Sequence, residues 1–208
     1  MKKSKAILMV VCAMLLVAAS VMGTLAYLTS TATVTNTFSV GNVAITMDET
    51  DVDNSTADAE RDIANSYKLM PGHSYTKDPI IHVATGSEDC YLFVKVVNEI
   101  AAIEEKGTDD VPATTTVAAQ MANKGWTLID ANKGIYAYGV DATSSKPTKV
   151  SAKSDITVFE EFVIEDSVNN DTLATYSGKT IVVTAYAIQA DGFESMTASQ
   201  IWTTANFQ

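Results

Sequence analysis

From position 27 onward the sequence is a succession of short β-branched and aromatic runs separated by turn signals, and this pattern most limits the folds open to the chain. Residues 27–38 are the clearest case. They read Tyr-Leu-Thr-Ser-Thr-Ala-Thr-Val-Thr-Asn-Thr-Phe, with threonine at every odd position after Tyr27. Side chains alternate faces along a strand, so one face is hydroxyl and the other, through Leu28, Ala32, Val34 and Phe38, is mostly apolar. The β-branched threonines stiffen the segment toward an extended form. The apolar alternation then moves to odd positions at Val43, Ile45 and Met47, and Gly41-Asn42 at the change reads as a bulge or turn.

Further runs follow the same logic. Strands are expected over residues 74–84, 90–97, 156–164 and 180–188, with a hairpin formed by 126–129 and 135–140. Cys90 to Val97 is apolar on both faces and therefore central. Pro71-Gly72 suits the central positions of a type II turn at the end of a short strand. Val117, Ala118 and Met121 stand at helical spacing before Gly125, and residues 195–205, with Ile201 and Trp202, suit a closing helix. Residues 48–62 are polar and acidic and read as a loop or short exposed helix. The fold class expected is all-β, a jelly-roll-like β-sandwich with one or two short helices, in one domain covering residues 27–208.

The residues before position 27 have a different character. Lys2, Lys3 and Lys5 precede an apolar run from Ala6 to Met22, then Gly23, Thr24, Leu25 and Ala26. A basic start, an apolar stretch and small residues are the parts of a secretory signal, with cleavage expected between Ala26 and Tyr27. An uncleaved anchor is the alternative. Losing three lysines takes the formal charge from −11 to −14. Such an acidic surface disfavours nucleic acid and anionic lipid, so membrane contact is expected only through the signal before cleavage. Cys12 leaves with the signal. Cys90 then stands alone, as a buried thiol or an intermolecular crosslink.

Catalytic chemistry is sparse. His73 and His82 are the only histidines, and they form no His-Glu-x-x-His pattern. A zinc site from both with Asp78 would need three or four convergent ligands, so no metal site is assigned. Glu160 and Glu161 fall on opposite faces of a strand, which does not suit an acid–base pair. Asp48, Glu49, Asp51, Asp53, Asp58, Glu60 and Asp62 offer oxygen ligands for Ca²⁺, but their spacing departs from an EF-hand loop. No catalytic residue is named.

Several of these segments resemble one family. Gly23-Thr24-Leu25-Ala26-Tyr27-Leu28-Thr29, followed by Thr37-Phe38-Ser39-Val40-Gly41-Asn42-Val43, is similar to the start of TasA/camelysin-type proteins. Leu69-Met70-Pro71-Gly72 with Tyr75-Thr76-Lys77-Asp78 resembles the family's Lys-Pro-Gly turn and next strand, with Met70 in place of the usual lysine. Cys90 to Val96, and Ile181 to Gln189 with Ala190-Asp191-Gly192-Phe193, fit later strands; residues 99–153 carry none of the likeness. The resemblance implies a jelly roll, processing by a SipW-type signal peptidase, and secretion to the matrix or surface of a Gram-positive-type bacterium. It also implies polymerisation into biofilm fibres, with itself or related subunits, in which residues 27–38 of one subunit complete the sheet of the next. The alternatives it carries are a camelysin-like cell-surface metalloendopeptidase and a minor fibre-anchoring or adhesin subunit.

Overall fold

The computed structural model describes residues 2–28, 41–56, 59–107 and 113–207, which fall in two units, Met1–Val40 and Gly41–Gln208. In the first unit, helix α1 spans Lys2–Leu28. Its described apolar side chains, among them Leu8, Met9 and Leu16, are exposed. No helix among the described residues is long and apolar enough to cross a membrane. Ala26, Tyr27 and Leu28 close this helix, whereas the alternation predicted that a strand begins at Tyr27. A helix satisfies its own backbone hydrogen bonds, while a strand needs a neighbour, so these residues extend the apolar helix that precedes them. Ala32, Val34 and Phe38 lie outside the described residues.

The second unit is mostly antiparallel β with short helices. In chain order its elements are β1 (Ile45–Thr50), β2 (Arg61–Asp62), β3 (Ser74–Thr76), β4 (Ile80–Val83), β5 (Cys90–Asn98), α2 (Val117–Asn123), β6 (Trp126–Asp130), β7 (Ile135–Tyr138), β8 (Asp155–Thr157), β9 (Glu161–Val163), α3 (Asn170–Thr175), β10 (Ile181–Gln189) and α4 (Ala198–Ala205). One sheet has the order β2-β1-β4-β8, a second β10-β5-β7-β6, and β3 pairs with β9. The predominance of antiparallel strands agrees with the class read from the sequence.

Strand β5 organises the core. Cys90, Leu92, Val94 and Val96 face the interior that the two four-stranded sheets share, where they meet Ile81 and Val83 of β4. Tyr91 and Phe93 point the other way, under Ile201 and Trp202 of α4. Both faces of β5 are therefore covered from Cys90 to Val94, whereas Lys95 and Val97 farther along are exposed. Burying each of the covered apolar side chains contributes roughly 1.5–3 kcal/mol. Helix α2 starts where Thr116 accepts the backbone N–H of Ala119, and α4 carries a capping box between Thr197 and Gln200.

Three expectations change. The strand predicted over residues 74–84 divides into β3 and β4 around Lys77, Asp78 and Pro79, and the one over 156–164 divides into β8 and β9. The two breaks face each other in unchanged register: Thr76 pairs with Glu161 on one side, Ile80 with Thr157 on the other. Between them Val158 donates its N–H to the carbonyl of Pro79, and Lys77 to that of Glu160. Pro79 has no N–H to give, so the ribbon bends there and passes from one sheet to the other. Gln120 of α2 fits the outside of the bend, accepting the backbone N–H groups of Glu160 and Glu161 and donating to the Glu161 carbonyl. Second, no strand leads into the turn at Pro71-Gly72, although Gly72 has the positive φ of 69° that a type II turn needs. Third, α3 stands between the predicted strands 156–164 and 180–188, where no helix was expected; Asn169 caps it by accepting the N–H of Thr172.

Candidate functional site

The acidic stretch 48–62, expected as a loop or short exposed helix, begins inside β1 and ends in β2, and it separates into parts with different partners. Asp48 and Glu49 belong to β1 itself. Arg61 of β2 donates through Nε to Asp48 and through Nη1 to Asp78 at 3.0 Å, while Asp78 also accepts the N–H of Thr50 at 2.7 Å. Burial opposes the charge on Asp78, but the Thr50 N–H and Arg61 outweigh it and hold its pKa below the usual carboxylate range.

His82 of β4 lies between two carboxylates. Its Nδ1 is 2.7 Å from Asp155 Oδ1, and its buried Nε2 is 3.1 Å from Asp48 Oδ2, near enough for an ion pair though not aligned as a hydrogen bond. The Asp155 hydrogen bond leads the rise in the His82 pKa; Asp48 adds to it, against partial burial. A folded pKa above the unfolded value of about 6.5 means that protonated His82 stabilises the fold below that pH. The contribution is lost as pH rises through the folded pKa. Thermal melts of the protein are therefore expected to show a Tm that falls between about pH 6 and pH 8, and His82→Gln is expected to flatten that slope. A slope unchanged in His82→Gln would refute the assignment.

Asp51, Asp53 and Asp62 bring carboxylate oxygens within 4.8 Å of one another, the one such group of three among the described residues. Backbone amides already engage them: Asp51 accepts from Thr56, and Asp53 from Ser55 and Ser66. Asp48 and Glu49 do not join them, and Asp58 lies outside the described residues. His73 is exposed, with Nδ1 2.9 Å from the Pro71 carbonyl, and does not meet His82 in a ligand group among the described residues. Glu160 pairs with Lys124, and Glu161 accepts the hydroxyl of Ser74. Cys90 is fully buried, and burial pushes its thiol pKa up to about 11, which suits an inert core residue.

A cleft in the second unit lies between β1 and β10. β10 has β5 on one side and, among the described residues, no strand on the other. β1 pairs with β4 along Ile45 to Asp48, but on its other edge β2 reaches only Glu49 and Thr50. Both open edges line a cleft of about 780 Å³, together with Leu69, Phe162 and Leu173. Ile45 and Met47 of β1 and Ile181 and Val183 of β10 pack on the core but stay half-buried, whereas their ladder neighbours Val83, Ile81 and Val96 are buried. Half-buried residues packed on this core also occur on other strands, among them Tyr75, Tyr136 and Ile156, but Met47, Ile181 and Val183 are the ones of β1 and β10 that line the cleft. One wall is charged: Lys77 Nζ is 2.6 Å from Glu49 Oε2, and both side chains line the opening.

Fold and cleft together define a mainly antiparallel β protein with two open strand edges on one apolar opening. Comparisons with protein-family models, with curated proteins and with solved structures returned no match.

Proposed function

We propose that this protein is a secreted structural subunit that polymerises into extracellular fibres of the TasA/camelysin type, with residues 27–38 of one copy filling the cleft between β1 and β10 of the next. The observation that carries this reading is the pair of open edges on one apolar cleft, flanked by core-facing residues that remain half-buried. An extended segment entering there gains main-chain hydrogen bonds along a sheet edge. Its apolar face, Leu28, Ala32, Val34 and Phe38, covers Met47, Ile181 and Val183. Each Leu, Val or Phe buried contributes roughly 1.5–3 kcal/mol. The added strand completes a jelly-roll-like sandwich. Head-to-tail insertion is heterologous and does not close, so filaments result. The basic, apolar and small-residue start of the chain supports export, with a SipW-type signal peptidase cutting between Ala26 and Tyr27 to free the segment.

Negative-stain electron microscopy of the chain from Tyr27 to Gln208 is expected to show filaments, and the same chain without residues 27–38 is expected to show none. Filaments from both, or monomers from both, would overturn the reading. A folded monomer whose 27–38 segment is protected from protease would identify insertion into its own cleft instead.

A further inference from the structure

We propose that the Glu49–Lys77 ion pair sets the register of the strand that enters the cleft, by receiving the carboxamide of Asn36 from the incoming copy. This rests on the strand-addition reading above. The pair is unusual for its place. Glu49 ends the core-facing row of β1 that begins with Ile45 and Met47, and its side chain is 6% exposed; that of Lys77 is 12% exposed. Glu49 Oε1 accepts from Asn65 Nδ2 at 3.0 Å, and Oε2 accepts from Lys77. Lys77 has three N–H donors, and among the described residues only Glu49 receives one. A desolvated ammonium with uncommitted donors favours any acceptor that reaches it.

The entering segment supplies one at a defined place. Its cleft-facing row is Leu28, Ser30, Ala32, Val34, Asn36 and Phe38. Asn36 is the residue of that row with both an acceptor for Lys77 and donors for Glu49; the Ser30 hydroxyl is shorter and has a single proton to give. Val34 and Phe38 flank Asn36. A shift of one residue turns the threonine face toward the core, and a shift of two puts Val34 or Phe38 against the ion pair and Asn36 among apolar side chains. Both cost desolvated polar groups. A single buried polar residue fixes register in this way when its neighbours are apolar.

The test changes only the entering segment, so the fold of Gly41–Gln208 is not put at risk. In the chain from Tyr27 to Gln208, Asn36→Leu is expected to raise the critical concentration for filaments about tenfold. The exchange Val34→Asn with Asn36→Val moves the carboxamide by two places. In that variant a photo-crosslinker at Phe38 is expected to label acceptor residues two positions away from those labelled in the parent. Asn36→Leu assembling like the parent, with an unmoved crosslink in the exchange variant, would overturn the register proposal while filaments still require residues 27–38. Filaments that survive deletion of residues 27–38 would overturn the strand-addition reading and the proposal with it.

Discussion

Arg61→Ala is expected to destabilise the protein by about 2–4 kcal/mol, one of the larger losses available from a residue outside the apolar core. Arg61 is the sole arginine in the chain. Its Nε donates to Asp48, Nη1 to Asp78 and to Thr50 Oγ1, and Nη2 to the backbone carbonyls of Asp48 and Asp78. One guanidinium thereby ties β2 to β1 and to the residue pair that leads into β4. Alanine leaves Asp78 without its cationic partner and Asp48 with His82 alone. Breaking a fully buried pair costs about 3–5 kcal/mol, and partial exposure of these side chains, 29% for Arg61 and 21% for Asp78, lowers that figure. Denaturant unfolding measures the loss, and a fall in Tm of roughly 5–15 °C should accompany it in a domain of this size. Arg61→Lys is expected to recover little, because an ammonium cannot make the forked contacts. Full recovery by lysine would show that charge alone matters at this position.

Val34→Asp is expected to suppress filament formation by about a thousandfold in critical concentration, the equivalent of about 4 kcal/mol per subunit contact. The expectation follows from the proposed strand addition. Val34 is central in the apolar row of residues 27–38 and would lie against Met47, Ile181 or Val183. Aspartate forfeits the burial of valine, roughly 1.5–3 kcal/mol, and adds the cost of a carboxylate in an apolar setting. Thr33→Asp places the same charge on the opposite face and is expected to cost far less. Sedimentation of polymer from monomer compares the two directly. Equal losses at positions 33 and 34 would mean that the segment does not present one face to a cleft.

Much of the architecture is legible locally. The apolar residues on both faces from Cys90 to Val97 anticipate a central strand, and β5 occupies that place because α4 covers one face and the shared core the other. The positions of α2, the hairpin β6–β7 and α4 follow from spacing and caps that act within a few residues. Helix α3 was hidden because it is short, buries no side chain fully, and has Asn169 as its main local mark. The bend at Pro79 had a sequence signal in the proline itself, but which sheet each half joins depends on Gln120 and the facing break at 158–160.

The acidic residues show the other limit. In the sequence Glu49 is one carboxylate among several in a polar stretch. It is buried because β1 continues to Thr50 and because Lys77, from the link between β3 and β4, arrives beside it. Arg61 likewise stood as an ordinary loop residue; being the one arginine beside so many acids was its only mark. The sequence by itself determined the β class, the alternating faces, the central strand and the helix caps, since these depend on neighbours a few positions apart. Only the tertiary structure decided that the open edges of Ile45–Thr50 and Ile181–Gln189 share one cleft with a charged wall. The physical reason is that an edge is defined by which distant strand fails to pair with it, and no local period records that.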